Sequence, residues 1–140
     1  LSGVDVARKI LILARESGEK KELQDIENIS FMPEACMKGD VENFYKEMEK
    51  NESHFEALIK AASDAGKKLK FVATFVNGKA SVGLQHIDPQ HDFYHLYGKD
   101  NAVLFYTNRY VEQPLVIKGA GAGAEVTASG VFADIIRAGR

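Results

Sequence analysis

Two adjacent residues near the middle of the chain, Asn77-Gly78, constrain the fold most. A two-residue hairpin turn of the favoured hand needs positive φ at both central positions, and Asn followed by Gly adopts that geometry at least cost. The flanking segments, 70–76 and 79–87, are rich in β-forming residues. An antiparallel hairpin is therefore predicted here, and the remaining elements must be arranged around it.

Upstream the pattern is mostly helical. Val6, Ala7, Ile10, Leu11, Leu13 and Ala14 recur at helical spacing, and Gly18 supplies a stop, so residues 3–17 are predicted as a helix buried over much of its circumference. Ser2 followed by Asp5 reads as a capping-box-like start. Residues 22–31 alternate imperfectly before Pro33 and read as a strand. Gly39-Asp40 opens a second helix with Val41, Phe44, Tyr45 and Met48 on its apolar face. A third helix, with Ser53 as its cap, turns Phe55, Leu58, Ile59 and Ala62 inward and ends at Gly66. Downstream of the hairpin, residues 88–99 form a loop and 101–107 and 114–118 two further strands. Residues 119–123 make a glycine turn and 124–137 a final helix. The predicted class is α+β: a mixed, mostly antiparallel sheet of about five strands with helices packed on it.

With 140 residues the prior is one domain, and 45% hydrophobic residues can bury a core. The longest apolar run, 10–14, is far too short to span a membrane. The net charge of −2 and scattered Lys and Arg argue against nucleic acid or an anionic membrane as partner. A single cysteine, Cys36, fits a reducing cytoplasm and reads as a structural thiol. Leu1 and the lack of a basic, then apolar opening read as a cut inside a longer protein rather than a signal peptide.

Three groups of residues could carry chemistry. Asp5 and Lys9 are four apart on a predicted helix and so share a face. Such a pair is ordinarily a surface ion pair; a lysine beside a carboxylate at the edge of a buried helix can also act as an acid/base group. The run Gly119-Ala120-Gly121-Ala122-Gly123-Ala124 formally fits a dinucleotide fingerprint. Only 16 residues follow it, too few to complete a βαβ unit. It reads either as tight strand-to-helix packing or as bare backbone that a ligand can approach. His86, Asp88, His91, Asp92 and His95 lie in an expected loop without a cysteine partner, so no metal site is predicted.

Several stretches together resemble one family. Residues 1–9, Leu-Ser-Gly-Val-Asp-Val-Ala-Arg-Lys, continuing through Ile12-Leu13-Ala14-Arg15-Glu16, are similar to the homoserine dehydrogenase signature Asp-Leu-Ser-Gly-x-Asp-Val-Ala-Arg-Lys. Tyr110-Val111-Glu112-Gln113-Pro114, leading through the glycine run to Thr127-Ala128-Ser129-Gly130-Val131-Phe132-Ala133-Asp134, resembles the family's closing segment. Gly98-Lys99-Asp100-Asn101 and Phe105-Tyr106-Thr107 look like the branch fused to an aspartokinase.

The resemblance implies NAD(P)-dependent interconversion of L-homoserine and L-aspartate 4-semialdehyde. Lys9 falls on the family's catalytic lysine, which exchanges the proton of the substrate hydroxyl. Asp5 falls on its homoserine-binding aspartate, and Gly119, Gly121 and Gly123 on the turn that borders the cofactor, NADP or NAD. Burial would favour the neutral amine that can take the proton. The family's nucleotide-binding domain and further substrate-binding acids are expected upstream of this chain, which alone should not turn over. The last helix should pack on that missing domain, and a homodimer or higher homo-oligomer in the cytoplasm is expected. The competing reading is a non-catalytic interaction or dimerisation domain that keeps the fold for assembly.

Overall fold

The computed structural model describes residues 2–139 and separates into two compact units, Leu1–Pro89 and Gln90–Arg140. Leu1, where the signature segment opens, and Arg140 lie outside the described residues.

The first unit is built on the predicted hairpin. Strands β2 (Lys68–Val76) and β3 (Lys79–Ile87) pair antiparallel from Lys68↔Ile87 to Val76↔Lys79. Asn77 and Gly78 both have positive φ, 50° and 73°, as the tight turn demands. A short strand β1 (Ile26–Ile29) adds to the other side of β3 in parallel, giving the order β1-β3-β2. Residues 22–25, predicted as strand, instead form a tight 3-10 turn. Here the Glu22 amide donates to the Asp25 carboxylate at 2.8 Å, a local bond that competes with strand pairing.

Helix α1 (Val4–Glu16) lies on this sheet. Its Ala7, Ile10 and Leu11 form one core with Ile26, Ala80 and Val82, and Phe71, Ala73 and Phe75 pack around it. The helix ends as predicted at Gly18. The Glu19 amide donates to the Ala14 carbonyl at 3.1 Å and the Gly18 amide to that of Arg15 at 2.9 Å, with Gly18 left-handed. Its start differs from expectation: the N-cap is Gly3, with φ 78° and no side-chain cap, and Ser2 caps nothing. Val82 is the largest side chain shielded almost completely from solvent. Truncating it removes two buried carbon groups and leaves a cavity, so Val82→Ala should cost about 2 kcal/mol, read as a lower urea midpoint at unchanged slope.

Helices α2 (Val41–Lys50) and α3 (Glu52–Asp64) follow. Asp40 caps α2, accepting from the Asn43 amide at 2.9 Å. The cap of α3 is Asn51, not Ser53, because the chain passes from one helix to the next through that single residue. Gly66 closes α3 with the same pair of backbone bonds seen at Gly18. Of the apolar positions expected to face inward, Ala62 is buried and Phe44, Met48, Phe55 and Leu58 half-buried. Val41, Tyr45 and Ile59 are exposed, because α2 and α3 pack on neighbours along only part of one side.

The second unit holds the antiparallel pair β4 (Asp100–Phe105) and β5 (Leu115–Ala120), then α4 (Ala124–Ala138). The five expected strands are present and the class is α+β, but they divide between a three-stranded and a two-stranded sheet. Strand β5 runs on to Ala120, so Gly119 belongs to the strand and only residues 121–123 form the turn into α4. Neither β5 nor α4 buries a side chain. Val126, Val131, Phe132, Ile135 and Ile136 all face solvent.

Candidate active site

In the first unit, Asp5 and Lys9 occupy the first and second turns of α1 on the side away from the core. Lys9 Nζ stands 2.9 Å from Asp5 Oδ2. The i,i+4 spacing expected from sequence is realised as an ion pair. Burial of the amine is not: the Lys9 side chain is 56% exposed and that of Asp5 80%. The desolvation invoked from the apolar helix is absent in the chain by itself, because the apolar stripe of α1 faces the sheet and this pair faces out.

The start of α1 is held by a residue that sequence reasoning missed. Asn28 on β1 donates its amide to the Ser2 carbonyl at 2.7 Å. A Cβ added to Gly3 would come within 2.9 Å of both Asn28 Oδ1 and the Phe71 ring, so the backbone at Gly3 is wedged between two strands. This seats the first turn of α1, and with it Asp5. No pattern in residues 22–31 marks Asn28; its partner lies at the far end of a tertiary contact. The same unit has an open cleft of about 580 Å³ lined by residues 29–33, Asn51, His54, Leu58, Leu84 and His86. His54 Nε2 lies 2.9 Å from the Phe31 carbonyl there. Neither Asp5 nor Lys9 lines it.

In the second unit, the three glycines differ. Gly123 has φ 138° and ψ 151°, a region essentially closed to other residues, and it precedes α4 without a side-chain cap. A Cβ there would lie 3.1 Å from the Lys99 ammonium. Gly121 donates its amide to the Lys99 carbonyl at 2.9 Å. Gly119 has open space around it. At the base of the turn, Lys118 Nζ lies 3.0 Å from Asp100 Oδ2, and the Tyr97 amide donates to the same oxygen at 3.4 Å. The bond to Lys118, then that from Tyr97, holds the Asp100 carboxyl below the usual carboxylate range. A backbone bare of side chains, a helix N-terminus without a side-chain cap and an adjacent ammonium fit a ligand that carries anionic groups, as a dinucleotide does.

Among the described residues no group of three or more His, Cys, Asp or Glu is placed so as to hold a metal ion. Residues Asp92–His95 form a short 3-10 turn, in which His91 Nδ1 accepts from the Phe93 amide at 3.1 Å. No helix among the described residues is long and apolar enough to cross a membrane.

An exposed carboxylate–amine pair thus stands on α1 of the first unit, and a glycine turn opens α4 of the second. The chain belongs to the homoserine dehydrogenase family, whose profile matches residues 1–136. It is 43% identical over 141 residues to "Bifunctional aspartokinase/homoserine dehydrogenase 2, chloroplastic" of Arabidopsis thaliana, which covers 98% of this chain and 15% of that protein. Among solved structures, a Candida auris protein of unknown function matches with TM-score 0.84 and 38% identity, over 98% of this chain and 39% of that one. The S. aureus homoserine dehydrogenase at pH 6.0 matches with TM-score 0.64 and 25% identity, over 98% and 30%. The chain thus spans only a small part of the relatives it matches.

Proposed function

We propose that this chain is the substrate-binding and dimerisation part of a homoserine dehydrogenase of the aspartokinase-fused kind. It would act with NADP or NAD on L-homoserine and L-aspartate 4-semialdehyde, and would need an upstream nucleotide-binding domain for turnover. The observation that carries this reading is the Asp5–Lys9 pair, 2.9 Å apart, on the solvent side of α1 in a chain of this family.

The chemistry follows from the residues. Oxidising an alcohol to an aldehyde removes a hydride from carbon and a proton from oxygen. The nicotinamide, when bound, would supply the hydride acceptor, and residues 119–123 are the part of this chain that would border the cofactor. Lys9 would exchange the hydroxyl proton, taking it in the oxidation and returning it in the reverse direction. Asp5 carries the charge to hold the substrate's ammonium group or to orient Lys9. With Lys9 half exposed in this chain, exclusion of water falls to surfaces outside it. The exposed apolar faces of α4 and β5 suit burial against a nucleotide-binding domain or a second copy. They are also what favours the interaction-domain reading, which leaves the Asp5–Lys9 pair without a role. A reducing compartment suits Cys36, buried and free; the cytoplasm is the simplest assignment, and the Arabidopsis relative is named chloroplastic.

The test compares homoserine-dependent NAD(P)H production by the 140-residue chain with that of the protein carrying it together with its nucleotide-binding domain. Activity in the longer protein alone supports the reading; two folded, inactive proteins would move the assignment to an interaction domain. In the active protein, Asn28→Ala frees the start of α1 and should raise the homoserine KM several-fold, with a stability loss of about 1 kcal/mol. An unchanged KM would limit Asn28 to a structural role.

A further inference from the structure

We propose that Asn101 is a positioning residue for the cofactor-bordering turn, and that it is the reason position 121 must be glycine. This rests on the reading of residues 119–123 given above. Asn101 stands directly across from Gly119 in the β4–β5 ladder, so Gly121 is its diagonal neighbour on the same face. A Cβ built on Gly121 falls on the Asn101 carboxamide, and would also lie 3.1 Å from the Asn101 Cβ. The carboxamide therefore sits where a side chain at 121 would be.

Gly121 and Gly123 resist a side chain for different reasons. Gly123 has a φ of 138° that other residues rarely adopt, with only the flexible end of Lys99 near its missing side chain. Gly121 is outside that φ range, so its backbone would accept alanine; the nearest obstacle to a side chain there is the Asn101 carboxamide, which would have to move. With its amide tied to the carbonyl of Lys99, the residue just before β4, and its empty side filled by Asn101, Gly121 is fixed on two counts from the start of that strand. Asn101 thus sets the path of the chain as it leaves β5, two residues before Gly123 and the first turn of α4.

Steric occupancy of this kind predicts suppression. In the protein carrying the nucleotide-binding domain, Gly121→Ala should raise the cofactor KM about tenfold or more and lower Tm. Asn101→Ala should raise the cofactor KM about threefold, leaving the homoserine KM in place. Combining them should return the cofactor KM and Tm close to those of Asn101→Ala alone, since shrinking the carboxamide makes room for the new methyl group. Asn101→Ala should not rescue Gly123→Ala, where the backbone is the obstacle. Additive losses in the Gly121→Ala/Asn101→Ala double variant would overturn the proposal. The underlying reading fails separately: if Gly123→Val leaves the cofactor KM unchanged, the turn does not border the cofactor, while suppression at 121 would still be visible in Tm.

Discussion

In the protein carrying the nucleotide-binding domain, replacing Lys9 by alanine should lower kcat by about a hundred- to ten-thousand-fold, the range over which a positioned acid/base group contributes. The fold should survive. Lys9 makes no core contact, and its loss removes a solvent-exposed ion pair worth about 0.2–0.5 kcal/mol. Turnover and the thermal melt measured on the same preparation separate the two effects. Collapse of kcat with an unmoved melt assigns Lys9 to proton transfer, and near-normal turnover refutes that role. Lys9→Arg sharpens the result, because a guanidinium stays charged and cannot accept the hydroxyl proton. If the positive charge alone mattered, arginine would restore activity; if proton exchange matters, it will not.

Gly123→Val is expected to weaken cofactor binding by about ten- to a hundredfold, equivalent to about 1.4–2.7 kcal/mol. At φ 138° and ψ 151° a β-branched side chain must either strain the backbone or swing the turn out of line. Either outcome displaces the first amides of α4 and brings two methyl groups up to Lys99. The cofactor Kd, measured by fluorescence titration, checks this, and an unchanged Kd would return the turn to a packing role. Homoserine affinity should move far less than that for the cofactor.

What could be read from the amino acids was what local geometry decides. The Asn77-Gly78 turn and both helix-ending glycines behave as their residue types require, since backbone φ alone selects them. The Asp5–Lys9 pair is legible because four residues span one helical turn. Hidden features are those whose cause lies elsewhere in the chain. Gly3 rather than Ser2 begins α1 because Asn28 and Phe71 shape the space around it. The strands divide into two sheets because pairing depends on partners, which strand propensity does not name. The contact of Asn101 with Gly121 is not legible in the sequence, because a diagonal cross-strand neighbour leaves no periodic trace. The exposed ion pair follows from the spacing of Asp5 and Lys9, whereas burial of the amine does not, because amphipathic spacing says which side of α1 is apolar and not what covers the other side.

The parallel pairing of β1 with β3 gives the molecule an order of assembly. Ile26 meets Ala80 only after α2, α3 and β2 have been laid down between them, whereas β2 and β3 close through two residues. Local closure is fast and long-range closure slow, so the hairpin should form early and β1 should dock late. The body of α1 can rest on the hairpin through Ala80 and Val82, but its first turn waits for Asn28. Amide exchange should accordingly find the residues around Ser2 and Asn28 opening before β2 and β3. Under mild heating, the seating of the first turn of α1, and with it the position of Asp5, would then be lost while the hairpin still stands.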